Sequence, residues 1–195
     1  MLMGYIIICT WLSVILTFMN IELLLIVGHI TGTIIGVGGA TMIEAHLAQS
    51  LKDKLVSKDE KDILAIDYHM VRIGLVLSIV TGFGFLILDK FTDNTAELYD
   101  PQLWAKLSIV LLIAGNTLLL QAHKINLYWG SALSFVSWWF AAFVGIMLTE
   151  KVHFNFFGNV TFIGEFTSII ITYIVAVIIG AMILQKFRNK ISSTI

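Results

Sequence analysis

The stretch GHITGTIIGVGGATMIEAH, residues 28–46, decides the fold class, because it is apolar and rich in small residues and yet carries ionisable side chains. Most of its side chains are typical of a helix packed against other helices in lipid. His29 lies near one end of the stretch, and Glu44 and His46 lie near the other. Ionisable groups within a membrane span are costly and usually face a partner or a cavity. The stretch therefore raises the question of what these three side chains contact.

The composition excludes a water-soluble domain. Of the 195 residues, 58% are hydrophobic and only 13% are charged, and the mean hydropathy is +0.92. A soluble domain is about 45–50% apolar and about 25% charged. The net charge of −1 leaves no basic face for a nucleic acid. The single cysteine, Cys9, excludes an internal disulfide and a cysteine-based metal cage.

Long apolar runs predict an all-α, polytopic integral membrane protein. A spanning helix needs roughly 20 apolar residues, and the chain offers such runs several times over. We predict a single transmembrane domain over residues 1–195, with about six helices around a four-helix bundle. The predicted spans, in chain order, are residues 3–18, 23–48, 63–88, 102–123, 131–148 and 164–186.

The lysines and arginines outside the spans predict the orientation. Eight of them fall on the side that holds both termini, and two fall on the other side. The eight are Lys52, Lys54, Lys58, Lys61, Lys124, Lys186, Arg188 and Lys190, and the two are Lys90 and Lys151. Because positively charged loops stay in the cytoplasm, we expect a multi-pass protein of the cell (inner) membrane with cytoplasmic N- and C-termini.

Small residues recur on one face of two predicted spans. They are Gly28, Gly32, Gly36 and Ala40 in the second span and Gly74, Ser78 and Gly82 in the third. Small residues at this spacing let helix backbones approach closely in lipid. Glu44 continues the stripe of the second span, so we expect it to face a partner helix. Helix packing alone explains the glycines, so they do not indicate a particular function.

The polar side chains within the spans fall at two depths. The outer level holds Glu22, His29, Trp104 and Lys106, and the inner level holds Glu44, His46, Asp67, His69, Arg72 and His123. His46 lies nearly opposite Glu44 on its helix, which predicts contact with lipid headgroups. Asp67 falls on the small-residue side of the third span. Asn116 and His123 are expected to share one face of the fourth span.

The fourth span carries a resemblance to known families. QLWAKLSIVLLIAGN, residues 102–116, is similar to a segment of the HemJ-type protoporphyrinogen oxidases and of the membrane domain of copper-resistance protein D. In those families an aromatic residue precedes an A-K-L motif, here Trp104 and Lys106. An earlier helix opens with a histidine followed by a glycine pair, here His29 and residues 38–39.

The resemblance covers about residues 22–148 and implies a four-helix bundle around a b-type haem. It implies that His29 is an axial ligand and that Lys106 lies close to it, with Trp104 as a further cofactor-binding candidate. A positive group neutralises a haem propionate, and Lys106 at the outer boundary is suited to this role. The families often carry a histidine further along the fourth helix, where this chain has Asn116. This departure weakens the case for ligation by two histidines and for protoporphyrinogen oxidation itself.

Three functions stay open. A haem-binding redox protein would hold its cofactor at His29. A transporter or channel for protons or a divalent metal would use the inner level, because carboxylates and imidazoles suit such ions. The candidate metal ligands there are Glu44, Asp67, His69 and His123. A non-catalytic subunit would only pack in the lipid bilayer, within a homo-oligomer or a larger membrane complex. Walker, G-x-S-x-G and H-E-x-x-H motifs are absent, so whether the protein is an enzyme stays open.

Overall fold

The computed structural model describes residues 21–50, 58–91, 96–150, 152–153 and 161–193. Its helices are α1 (Ile21–Ser50), α2 (Lys58–Phe91), α3 (Pro101–Gln121), α4 (Leu127–Thr149) and α5 (Phe162–Ser193), with a short 3-10 turn at Glu97–Tyr99. Each of these five α-helices holds a stretch long and apolar enough to cross a membrane. The predicted second to sixth spans are confirmed as helices, and the predicted first span, residues 3–18, lies outside the described residues.

Side-chain caps fix where α3 and α4 begin. The Asp100 carboxylate accepts a hydrogen bond from the backbone N–H of Gln102 at 2.7 Å, and Pro101 is the first residue of α3. The side-chain oxygen of Asn126 accepts from the backbone N–H of Tyr128 at 2.9 Å at the start of α4. Both caps satisfy N–H groups that have no partner within the helix. α3 begins one residue before the predicted start at residue 102, whereas α4 begins four residues before the predicted start at residue 131, because Asn126 caps it.

The end of α3 differs from the prediction. The helix ends at Gln121 rather than at residue 123, and Ala122 caps it. His123 follows with φ of 53°, in the left-handed region, and its side chain is exposed. Asn116 is buried inside the bundle. The prediction that Asn116 and His123 share a helical face is therefore wrong, because the chain leaves the helix before His123.

The helices run alternately up and down. α1 lies along α2, α4 contacts α1, α3 and α5, and α5 also contacts α3. His29 of α1 contacts Thr81 of α2, whereas His46 of α1 contacts Asp67 of α2, which makes this pair of helices antiparallel. The bundle therefore has two ends, which we name by the α1 residue that each contains: the His29 end and the Glu44 end.

The stripe of small residues brings the backbones of α1 and α2 into contact. A methyl group at Gly32 would lie 3.0 Å from the carbonyl oxygen of Gly74 and 2.7 Å from the hydroxyl of Ser78. A methyl group at Gly36 would overlap the ring of Trp138 from α4. Close helix packing is what such a stripe predicts, and the structure confirms it for these positions.

The core between the helices is apolar, and so are the outward faces. The main core cluster takes residues from all five α-helices, among them Ile43, Val71, Ile109, Trp138 and Tyr173. Large apolar side chains also cover the outside: Leu111 is 72% exposed and Ile163 is 76% exposed, and every helix contributes others. A soluble protein rarely exposes large contiguous apolar patches, whereas lipid solvates them. The described residues therefore form a helical integral membrane protein.

Candidate functional site

A buried ion pair joins the first and last described helices at the Glu44 end. Glu44 of α1 is 6% exposed and Arg188 of α5 is 7% exposed. Nη2 of Arg188 donates to Oε2 of Glu44 at 2.5 Å and to the hydroxyl of Ser131 at 3.1 Å. Nη1 donates to the carbonyl oxygen of Tyr128 at 2.9 Å, and the guanidinium lies 5.6 Å from the centre of the Tyr128 ring. The prediction that Glu44 faces a partner helix is confirmed.

This ion pair leaves hydrogen-bonding capacity unused. Among the described residues, Oε1 of Glu44 and Nε of Arg188 are buried and have no hydrogen-bond partner. The same holds for the hydroxyl of Tyr68 and for Nε of Arg72, both on α2. Most buried polar atoms in proteins are hydrogen-bonded, so the unpaired atoms of Glu44 and Arg188 leave this ion pair incompletely satisfied.

A second ionisable pair lies beside the first. Nδ1 of His46 donates to Oδ2 of Asp67 at 2.6 Å, and Asp67 is buried whereas His46 is partly exposed. The prediction that His46 contacts headgroups misses this partner, because Asp67 lies at the same depth on the facing helix. A buried carboxylate is costly unless it is hydrogen-bonded, and His46 supplies the bond. Glu44 and His46 are two residues apart on α1, so both pairs lie at the same end.

Two basic side chains meet at the His29 end. Nζ of Lys106 on α3 lies 3.3 Å from Nε2 of His29, and Nδ1 of His29 lies 3.1 Å from the hydroxyl of Thr81. An ammonium group only donates, so Nε2 accepts and Nδ1 carries the hydrogen. The Thr81 hydroxyl accepts this bond and donates its own hydrogen to the carbonyl oxygen of Leu77 at 2.6 Å. The network therefore assigns a neutral imidazole to His29.

Two glycines pack closely against this contact. A methyl group at Gly145 of α4 would lie 3.0 Å from Nζ of Lys106, and one at Gly82 of α2 would lie 3.6 Å from Cε1 of His29. Trp104 lies on an exposed face instead, and its indole N–H donates to the carbonyl oxygen of Leu98 at 2.9 Å. Of the three residues that the resemblance implies, the structure brings His29 and Lys106 together and places Trp104 at the surface.

The four candidate metal ligands are not brought together. Glu44 pairs with Arg188, and Asp67 pairs with His46. His69 lies on an exposed face of α2, and His123 is exposed after the end of α3. Within the described ranges, no three His, Cys, Asp or Glu side chains are close enough to hold a metal ion.

A further buried carboxylate at the His29 end was missed from the sequence. Glu165 of α5 is buried and accepts from Nε2 of Gln102 at 2.8 Å and from Nδ1 of His153 at 3.2 Å. Gln102 also donates to the carbonyl oxygen of Val152 at 2.6 Å. The sequence feature that points to this carboxylate is a glutamate in the first turn of an apolar helix. Such a glutamate is equally typical of a residue that only complements the helix dipole.

The histidines limit how a haem could be held. The chain has five of them. His46 and His153 bind carboxylates, and His69 and His123 are exposed. Both ring nitrogens of His29 are hydrogen-bonded, and Nε2 accepts from an ammonium group. An iron ligand needs a free nitrogen lone pair, so the residues as arranged do not present one to a haem at this site.

Fold and site together define a helical membrane protein with ionisable side chains buried between its helices. In comparisons with known proteins, no family model, curated protein or solved structure matches this chain. The resemblance to the HemJ-type and copper-resistance D families therefore stays a prediction from the sequence.

Proposed function

We propose that this protein is a proton-coupled carrier of the membrane. The observation that carries the proposal is the buried pair of Glu44 and Arg188, in which Oε1 of Glu44 has no hydrogen-bond partner among the described residues. Carboxylates that face the interior of a helix bundle are typical of proton relays. Glu44 is placed to accept a proton on Oε1 while its other oxygen contacts Arg188.

Packing alone is a poor explanation for this pair. Burying two charges costs solvation energy, and apolar side chains of similar volume often give equal or greater stability. Glu44 continues a stripe of glycine and alanine on α1, where a small apolar residue would pack well. A functional role therefore explains the charge of Glu44 better than helix packing does. Protonation of Glu44 removes its attraction for Arg188, which loosens the end of α5 from α1.

His46 and Asp67 form a second ionisable pair at the same end of the bundle as Glu44. His46 is partly exposed, whereas Asp67 and Glu44 are buried. Histidine exchanges protons readily near neutral pH and serves as a proton shuttle. The Glu44 end thus combines a partly exposed group that exchanges protons with water and a buried group that stores one.

A carrier is favoured over an open channel by the packing halfway along the bundle. Trp138 of α4 is buried against Gly36 of α1, and α1 and α2 are in backbone contact at Gly32 and Gly74. His29 and Glu44 are 15 residues apart on α1, which corresponds to about 22 Å along a helix. The packed segment lies between them, so a proton that crosses the bundle needs a movement of helices.

Haem binding at His29 is the second candidate. It rests on the resemblance to the HemJ-type and copper-resistance D families, whereas the contact between Nζ of Lys106 and Nε2 of His29 opposes it. A haem would require Lys106 to release Nε2. The absorption spectrum of the protein purified after expression with ample haem distinguishes this candidate: a Soret band that is lost in His29→Ala supports it, and a featureless visible spectrum contradicts it.

Proton flux into liposomes tests the carrier proposal. The purified protein is reconstituted with a pH-sensitive dye inside, and a potassium gradient with valinomycin drives protons inward. We expect wild type to acidify the lumen faster than empty liposomes, and Glu44→Gln to lose the difference. Glu22→Gln is the matched control, because Glu22 is an exposed carboxylate on the same helix. A wild-type rate equal to that of empty liposomes would contradict the proposal.

A further inference from the structure

Lys106 lies at membrane depth without a counter-charge among the described residues. Its ammonium group contacts Nε2 of His29, which is itself a basic side chain. The ion pairs within the described ranges join His46 to Asp67, His153 to Glu165 and Arg188 to Glu44, and none involves Lys106. A positive charge inside a membrane bundle is costly unless it is paired. No negatively charged side chain of the described residues therefore pairs with Lys106.

From this juxtaposition we infer that Lys106 and His29 form a binding site for a small monovalent carboxylate. The inference rests on the proposed carrier function and names the class of its substrate. Lysine has three N–H donors, and one of them is directed at His29. The other two make no hydrogen bond to another described residue, and Gly145 and Gly82 present no side chain to the two basic groups.

Binding of the anion is linked to uptake of one proton. In the contact seen here, Nε2 of His29 accepts a hydrogen bond from Lys106, which requires a neutral imidazole. When a carboxylate arrives, Nε2 takes up a proton from the buffered solution and becomes a second donor, and the bond between the two basic groups is exchanged for two bonds to the anion. A carboxylate has two oxygens and accepts from both donors at once.

Lys106 is the charged group of the described residues that faces His29, and its positive charge opposes protonation of the ring until the anion binds. On α2 the ring contacts Thr81 and Phe85, which carry no charge, and α4 presents Gly145 beside Lys106. Thr81 holds Nδ1 and so directs Nε2 toward Lys106. One anion and one proton therefore bind together, which adds no net charge to the buried site.

Acetate binding in detergent tests the inference without any transport. Sodium acetate replaces sodium chloride at constant ionic strength in a weakly buffered solution, and heat and pH are recorded. We expect saturable binding with uptake of about one proton per chain, as the exchange at Nε2 requires. Lys106→Met should raise the dissociation constant roughly tenfold or more, as expected for loss of charge-assisted hydrogen bonds. Lys90→Met is the control, because Lys90 is an exposed lysine at the same end.

A second variant keeps the test decisive if Lys106→Met does not fold. His29→Gln retains the ammonium group but has no titratable ring, so acetate should bind more weakly and without proton uptake. The inference is overturned if wild type shows no saturable binding, if chloride binds as well as acetate, or if Lys106→Met binds acetate with wild-type affinity. The proton on Glu44 is additional to the one that binds with the anion, so the flux assay is repeated with sodium acetate on both sides of the liposome membrane. Under that condition, acetate binding without proton flux would overturn the carrier function alone, and proton flux without acetate binding would overturn the anion site alone.

Discussion

Arg188 and Glu44 are 144 residues apart in the chain, yet Nη2 of one lies 2.5 Å from Oε2 of the other in a buried contact. The contact ties the Glu44 end of α5 to α1, while further bonds from Arg188 reach α4 through Tyr128 and Ser131. Three helices are thus held by one guanidinium group. A change in the charge of Glu44 therefore affects the packing of all three helices, and this pair is central to the proposed function.

Loss of one partner of this pair should cost far more than loss of both. Glu44→Gln leaves Arg188 as a buried charge without its counter-ion, and we expect a loss of about 3–5 kcal/mol in the free energy of unfolding. The double variant Glu44→Gln/Arg188→Gln removes both charges and should recover most of that loss. Unfolding in detergent, followed by helical circular dichroism, measures both. Equal destabilisation by the single and double variants would show that the charges are not coupled.

Two neighbouring glycines of α1 should respond in opposite ways to the same substitution. Gly36→Ala forces a methyl group into the ring of Trp138, and such overpacking costs about 1–3 kcal/mol. Gly38→Ala meets no atom within 4 Å, and alanine favours the helix by up to about 1 kcal/mol over glycine. The difference between the two melting temperatures checks the packing of α4 on α1. A similar response at both positions would contradict that packing.

A hydrogen bond between α4 and α5 should contribute measurably to stability. The hydroxyls of Tyr173 and Ser137 are 2.8 Å apart in the core, and Ser137 also donates to the carbonyl oxygen of Leu133. Tyr173→Phe should therefore cost about 1 kcal/mol. Tyr99→Phe is the control, because Tyr99 is exposed and its change should stay within about 0.5 kcal/mol. An effect at Tyr99 as large as that at Tyr173 would contradict the assignment.

The helices could be predicted from the sequence because their apolar runs match the thickness of a bilayer. The side of α1 that faces other helices could also be predicted, because Gly32, Gly36 and Glu44 repeat at helical spacing. The sixth span was predicted to end at residue 186, since the polar residues after it are typical of a loop. α5 continues to Ser193, and this extension carries Arg188 into the bundle.

The partners of the buried charges could not be predicted for a physical reason. Helix periodicity gives the rotation of a residue about its own helix, but not which helix stands opposite it. His29 and Lys106 were placed at the same depth, and only the order of helices in space makes them neighbours. His46 was assigned to the headgroups for the same reason, since Asp67 on the facing helix was not known to lie within reach.

The predicted orientation rests on the distribution of positive charge and can be tested by labelling. Two variants are made in a chain that also carries Cys9→Ser, and each has a single cysteine: Lys90→Cys and Lys124→Cys. Both positions are exposed, and they lie at opposite ends of the bundle. We expect an impermeant maleimide to label Lys90→Cys in intact cells and Lys124→Cys only after permeabilisation, because the Glu44 end carries more positive charge. The reverse pattern would show that the termini lie outside the cell.

The most direct test of proton coupling through Glu44 is proton flux in liposomes that contain the double variant Glu44→Gln/Arg188→Gln. This variant keeps the fold intact if the charges are coupled as described, so a loss of flux is not a loss of structure. We expect liposomes with the double variant to acidify no faster than empty liposomes, and liposomes with wild type or Glu22→Gln to acidify at equal, higher rates. A double variant as fast as wild type would contradict proton transfer through Glu44.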